Sequence, residues 1–191
     1  MIEKFSFDIQ LSTSPFLQSL RQGKKEFSTS GDVKKKLILV KNDLESRAHV
    51  AMKLLAYMLF YDPRLQVETS AGMHYKPDLM IPGGHGDGVP ELWIDCGKIA
   101  LRKVESLSGK LRASRFILVK ETKRELETFK QLIEKKVEHS TRLEYLGFEK
   151  GFVARFSEAL ARGNEVTLYE AAENAIGVAL NAEVFESGVY R

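Results

Sequence analysis

Two short apolar stretches, each carrying an aspartate, constrain the fold more than any other feature of the sequence. One reads KPDL at residues 76–79 and contains Asp78, and the other reads LWIDCG at residues 92–97 and contains Asp95. A turn rich in glycine and proline, residues 82–90, separates them. Short apolar runs bounded by turn residues are typical of buried strands. We therefore predict two neighbouring strands that bring both carboxylates to one edge of a sheet.

A strand–helix–strand unit is predicted from the second aspartate onward. Residues 99–111 carry apolar side chains at helical spacing, and residues 115–120 read RFILVK, which is typical of a strand. Strands joined in this way pair in parallel through a crossover. Further helices are predicted to begin at Asn42 and at Thr122, because each is followed by a glutamate three residues on, the pattern of a capping box.

The two ends of the chain have the alternating pattern of half-buried strands. Apolar and polar side chains alternate over residues 5–11, residues 33–40 form a basic-flanked apolar run, and alternation returns within residues 166–185. We predict an α/β fold, of the mixed α+β kind, with a mixed central sheet flanked by helices. An antiparallel sheet formed by the N- and C-terminal strands is expected to accompany it.

Length and composition fit one domain. The chain has 191 residues, 43% of them hydrophobic, enough to bury a core without staples. We predict a single domain with its core at residues 43–140 and an accessory β-sheet from residues 1–41 and 150–191. The only cysteine is Cys96, so an internal disulfide and a cysteine-based zinc cluster are both excluded. A cytoplasmic location is expected, since no export signal or apolar span long enough for a membrane is present.

The positive charge of the chain is modest and locally clustered. The net charge is +3, which favours an anionic partner, and Arg102, Lys110 and Arg112 are the candidate contacts to nucleic acid. Solvated surface charge is the simpler explanation for any one of these side chains. DNA, RNA and a protein therefore remain alternative partners, and the oligomeric state is not determined by the sequence.

Asp78 and Asp95 have the chemistry of a divalent-metal site. Mg²⁺ or Mn²⁺ prefers one or two carboxylates with water in the remaining positions, and such an ion activates water beside a phosphodiester. Lys98 and Lys103 follow closely enough for either to stabilise negative charge. Glu45 is a further candidate acid, although its position in the predicted capping box explains it equally well. Each aspartate could also begin a turn or pair with a lysine.

Five segments, in this order, resemble the YaeQ-like family, which belongs to the PD-(D/E)XK nuclease-like superfamily. The resemblance runs from about residue 43 to residue 120 and weakens toward the C-terminus. The segments are Glu45, MKLLAY at 52–57, DPRL at 62–65, PDL at 77–79 and LWIDCG at 92–97.

The resemblance implies a restriction-endonuclease-like core, built from a helix, three strands, a helix and a strand. It also implies that Glu45, Asp78 and Asp95 are the acids of the site. The superfamily lysine, two positions after the second strand acid, is replaced here by Gly97. Its role would then fall to Lys98 or to a basic residue of the next helix, such as Lys103.

The function implied is a Mg²⁺- or Mn²⁺-dependent nuclease that acts on phosphodiesters of DNA or RNA. The alternative is a catalytically inactive nuclease-fold module that binds nucleic acid or a protein partner.

Overall fold

The computed structural model of the protein describes residues 2–11, 33–84 and 88–191. Within these residues the fold is mixed α/β, as predicted. The strands are β1 Glu3–Leu11, β2 Val33–Lys41, β3 Gln66–Val67, β4 Leu79–Ile81, β5 Leu92–Cys96, β6 Arg115–Val119, β7 Leu143–Phe148, β8 Gly163–Ala171, β9 Ala175–Leu180 and β10 Glu183–Tyr190. The helices are α1 Arg47–Leu59, α2 Leu101–Ser108, α3 Lys123–Lys136 and α4 Phe152–Glu158, with a 3-10 turn at Ser140–Arg142.

The described residues divide into two compact units. The terminal unit holds the residues up to 61 together with 149–189, and the central unit holds 62–148 together with 190–191. Helix α1 belongs to the terminal unit. The reason is its packing within that unit, where α1 contacts α4 and β2.

The terminal unit is a mixed sheet whose strands lie in the order β2-β1-β8-β9-β10. The alternation in β1 buries Phe5, Phe7, Ile9 and Leu11 on one face. As predicted, N- and C-terminal strands share this sheet, but the prediction of an antiparallel sheet was wrong at one pair, since β1 and β8 are parallel. Parallel neighbours need a long connection, which the chain supplies here because the whole central unit lies between these two strands.

Helix α1 begins four residues later than its capping-box pattern predicted. Its N-cap is Ser46, whose hydroxyl accepts a hydrogen bond from the backbone N–H of His49 at 3.1 Å. Asn42 and Glu45 instead close a separate turn, in which Glu45 N–H donates to Asn42 O and Asn42 N–H donates to Oε2 of Glu45. The second predicted start was right, because Thr122 is the N-cap of α3 and accepts from Glu125 N–H.

The strands of the central unit are also mixed in direction and lie in the order β7-β6-β5-β4-β3. The two aspartate-bearing segments are neighbours as predicted, since β4 pairs antiparallel with β5. The predicted parallel pair is also present, formed by β5 and β6 across α2, and β7 extends it. Side chains of α2 and α3 pack with Trp93, Phe116 and Tyr145 in one apolar cluster. None of the helices in the described part of the chain is long and apolar enough to cross a membrane.

Candidate active site

Asp78 is fixed to the strand that carries the second acid. It immediately precedes β4, and its backbone N–H donates to the carbonyl of Ile94 at 3.0 Å. Its Oδ2 accepts from the backbone N–H of Cys96 at 2.7 Å. Because Leu79 pairs with Ile94 in the antiparallel register, Asp78 lies across from Asp95.

Asp95 is a buried carboxylate, with only 2% of its surface exposed. Burial raises the pKa of this carboxyl, and the ammonium of Lys103 opposes that rise, whereas the charge of Asp78 adds to it. Nε1 of the neighbouring Trp93 is buried and makes no hydrogen bond within the described residues. Oδ2 of Asp95 is likewise buried without a hydrogen-bond partner in the described residues. An unsatisfied buried carboxylate oxygen is costly, so this atom requires an explanation.

Lys103 is the basic residue that reaches this carboxylate. It lies in the first turn of α2, and its Nζ donates to Oδ1 of Asp95 at 2.7 Å and to the carbonyl of Lys76 at 3.0 Å. The rings of Trp93 and Tyr75 lie 5.8 Å and 6.0 Å from the same nitrogen, within range of a cation–π interaction. One ammonium group thus links α2 to both of the segments that carry the acids.

Lys120, at the end of β6, is a second buried lysine beside β5, and the sequence analysis missed it. Its Nζ donates to the carbonyl of Gly97 at 2.6 Å and lies 3.6 Å from the centre of the Phe129 ring. Burial lowers the pKa of Lys120 to about 8. The neighbouring Glu125, Cys96 and Asp95 act in the other direction and raise this pKa by a smaller amount. The sequence does show a lysine at the end of an apolar strand, which could have indicated a buried lysine. Its contacts could not be predicted, because they depend on the pairing of β5 with β6.

The other predicted basic residues lie on the surface of the central unit. Lys98, Arg102, Lys110 and Arg112 are all exposed. Among the residues that the structure describes, no hydrogen bond or ion pair joins any of them to Asp78 or Asp95. Lys98 follows Gly97, whose φ of 71° turns the chain at the end of β5. The structure therefore brings together Asp78, Asp95 and Lys103 and does not bring these four side chains into contact with them.

Glu45 belongs to the terminal unit, where its carboxylate has partners of its own. Oε1 lies 3.1 Å from Nζ of Lys53 and 3.2 Å from Nε2 of His49. Lys53 is fully buried in α1 and was also missed from the sequence, although it is the one charged residue in the run VAMKLLAYML at residues 50–59. A buried lysine requires a carboxylate or other acceptor, which gives Glu45 a structural role within that unit.

Asp78 and Asp95 form a donor set that fits a hard divalent cation. Both offer carboxylate oxygens from adjacent strands, and one buried oxygen of Asp95 has no hydrogen-bond partner in the described part of the chain. Mg²⁺ and Mn²⁺ favour such ligands. These two residues could therefore hold a metal ion in the central unit.

Comparison with known proteins gives one family and a set of similar folds. The family model described as "YaeQ protein" matches residues 33–186. The solved structure of YaeQ protein from Xanthomonas axonopodis pv. citri has a TM-score of 0.72 and 17% identity, and the match covers 99% of this chain and 97% of that one. The structure of YaeQ protein from Pseudomonas syringae has a TM-score of 0.69 and 16% identity, covering 98% of this chain and 93% of that one. No curated protein matches the sequence.

Proposed function

This chain belongs to the YaeQ family, and we propose that it is a Mg²⁺- or Mn²⁺-dependent hydrolase of nucleic-acid phosphodiesters. We further propose that the helix α1, the strands β3, β4 and β5, the helix α2 and the strand β6 correspond to a restriction-endonuclease-like core. The order of these elements along the chain supports that assignment.

The observation that carries the proposal is the environment of Asp95. Its carboxylate is buried, one of its oxygens makes no hydrogen bond within the described structure, and a second carboxylate, that of Asp78, lies across from it. Two acids held together in this way repel each other unless positive charge offsets them. Lys103 supplies positive charge beside Asp95, and a divalent cation held by the two carboxylates would supply more.

Each residue of the proposed site would have a different role. Asp78 and Asp95 would hold the ion, and the Cys96 N–H keeps the Asp78 carboxylate oriented toward β5. When bound, the ion would polarise a phosphoryl oxygen and make water a stronger nucleophile. The ammonium of Lys103 is available to stabilise negative charge that develops on the phosphate. The exposed Arg102, Lys110 and Arg112 would attract the phosphate backbone of DNA or RNA.

A second candidate function is nucleic-acid binding without cleavage. It is favoured by the Lys103–Asp95 ion pair, because an acid that is already neutralised by lysine has less need of a metal. Such a module would use the same exposed basic residues and would bind in a salt-dependent manner. A protein partner in place of nucleic acid is the remaining form of this alternative.

The test is cleavage of labelled single- and double-stranded DNA and RNA in Mg²⁺ or Mn²⁺. We expect wild-type protein to cleave at least one substrate, Asp78→Asn to lose that activity, and Asp8→Asn to retain it. Asp8 is the matched control because it is an exposed aspartate of the terminal unit that forms a surface ion pair with Lys36. Salt-dependent binding by a folded wild type that cleaves none of the substrates would replace this proposal with the second one. A folded wild type that neither cleaves nor binds any of these substrates would contradict both of the nucleic-acid functions.

A further inference from the structure

We propose that Lys103 is an internal cation that holds the divalent-ion site closed, so that an ion binds only as the Lys103 ammonium leaves Asp95. This inference rests on the proposed metal-dependent function and adds a competition that the function alone does not require. It concerns one side chain of α2 and the carboxylate that it contacts.

The surroundings of Lys103 have the composition of a cation-binding site. Its Nζ is held by a carboxylate oxygen of Asp95 at 2.7 Å and a backbone carbonyl, that of Lys76, at 3.0 Å. The faces of Tyr75 and Trp93 border it on other sides. Only 18% of the Lys103 side chain is exposed, which is low for a residue type that is normally solvated. These groups come from two separate segments of the central unit, residues 75–76 and 93–95, so the ammonium occupies a formed site.

Charge makes the ammonium and a divalent ion competitors. The Lys103 ammonium offsets the negative charge of the Asp95 carboxylate, which a divalent ion would also need. Affinity for hard divalent ions rises with the number of carboxylate charges that remain uncompensated. An ammonium that shares a buried carboxylate with such an ion would also repel it strongly, because repulsion between like charges is poorly screened in a buried environment.

The competition has a consequence for the order of events. Lys103 favours the ionised form of Asp95 and holds the two acidic segments together when no ion is present, because its ammonium bridges Asp95 and Lys76. When an ion binds the Asp95 carboxylate, the displaced Lys103 ammonium would be available to bind an anionic substrate. Ion binding would therefore precede the contact between Lys103 and phosphate.

The first test compares Mn²⁺ affinity, measured by calorimetry, in wild type, Lys103→Met and Lys135→Met. Lys135 is the matched control, since it is an exposed lysine of α3 in the same unit. We expect Lys103→Met to bind Mn²⁺ at least about tenfold more tightly than wild type, because it restores one carboxylate charge. Lys135→Met should match wild type, and adding Asp95→Asn to any of the three proteins should abolish the binding.

The outcomes separate this inference from the proposed function. Binding that depends on Asp95 but is equal or weaker in Lys103→Met would overturn the competition and leave the metal site standing. If neither wild type nor Lys103→Met binds Mn²⁺ in a manner that depends on Asp95, both the competition and the metal-dependent function are contradicted.

A second measurement follows the Lys103 ammonium in the wild-type protein and uses a variant only to assign its signal. In protein labelled with ¹⁵N-lysine, the hydrogen-bonded ammonium of Lys103 should give a slowly exchanging NMR signal, assigned by its absence from Lys103→Met or Lys103→Arg. We expect saturation with Mg²⁺ to remove or strongly shift this signal. A signal that stays unchanged while Mg²⁺ saturates the protein would show that the ion does not displace Lys103.

Discussion

The ammonium of Lys103 lies 2.7 Å from Oδ1 of Asp95 and is the contact that joins helix α2 to the acidic strand β5. The two residues are eight positions apart, and the short connection between β5 and α2 brings the first turn of the helix back over the end of the strand. The position two residues after Asp95, where the proposed restriction-endonuclease-like core would have a lysine, is Gly97. Positive charge therefore reaches this carboxylate from the helix.

The Lys103–Asp95 pair should contribute measurably to stability because Asp95 is buried. In a double-mutant cycle of Asp95→Asn and Lys103→Met, followed by urea unfolding, we expect a coupling free energy of about 2 kcal/mol. The exposed pair Lys36–Asp8, at 3.4 Å, is the comparison and should give a coupling below about 0.5 kcal/mol. A coupling for Lys103 and Asp95 no larger than that of the surface pair would contradict the buried ion pair.

Lys120 should make stability depend on pH in the alkaline range. Its pKa is lowered to about 8 by burial, so the folded state is penalised by a charged lysine below that pH. As the pH rises from about 8 to the unfolded value of about 10.4, the folded state loses its proton first and the penalty is relieved. Lys120→Met removes the group, so its stability advantage over wild type should fall by about 1.4 kcal/mol per pH unit in this range, to a total change of about 3 kcal/mol.

Urea unfolding of wild type and Lys120→Met at several pH values measures this difference. Lys135→Met, a change at an exposed lysine, is the control and should track wild type. If the difference between Lys120→Met and wild type is constant from neutral to alkaline pH, Lys120 is not a lysine with a lowered pKa.

The sequence predicted the central unit well because its signals are local. The pairing of the two aspartate-bearing segments follows from apolar runs and the turn between them, and the parallel partner of β5 follows from the helix spacing of residues 99–111. From the sequence, either Lys103 or Lys98 could be placed beside Asp95, and the sequence does not distinguish between them. That choice depends on the left-handed turn at Gly97, which only the folded chain displays.

Contacts between distant segments explain what the sequence analysis missed. Lys53 and Lys120 lie within or beside apolar runs, and their partners, Glu45 and the Gly97 carbonyl, are identified only by tertiary packing. Alternation in β1 gives the buried face but not the direction of its neighbour β8, which turned out to be parallel. Ser46 and Asn42 could each cap the N-terminus of a helix. Asn42 instead forms a turn with Glu45 that precedes α1, so Ser46 is the N-cap.

Gly177 in β9 should resist substitution because the ring of Tyr169 packs over it. A Cβ at this position would overlap the ring, so Gly177→Ala should push Tyr169 away and break its 3.0 Å hydrogen bond to Glu186. We expect a loss of about 1 kcal/mol in stability, since the end of a partly exposed ring can move aside. Burial and the Glu186 bond raise the pKa of Tyr169 to about 12, so the displaced phenol should titrate nearer the usual value of about 10.

Tyrosine-selective NMR titration and urea unfolding check these two effects. Gly109→Ala is the control, because its added methyl meets open space and its φ of −73° suits any residue. The cost of Gly177→Ala should largely vanish in a Tyr169→Ala background. An equal cost in both backgrounds would exclude the ring as its cause.

The most direct test of the metal-dependent function is a crystal structure of the protein soaked in Mn²⁺, examined by anomalous diffraction. The predicted result is an anomalous peak about 2.1 Å from a carboxylate oxygen of both Asp78 and Asp95, the distance typical of carboxylates bound to small hard cations. The same soak of Asp95→Asn should lack that peak. A fully soaked wild-type crystal with no anomalous peak at these carboxylates, and with the Lys103–Asp95 contact still in place, would contradict the account.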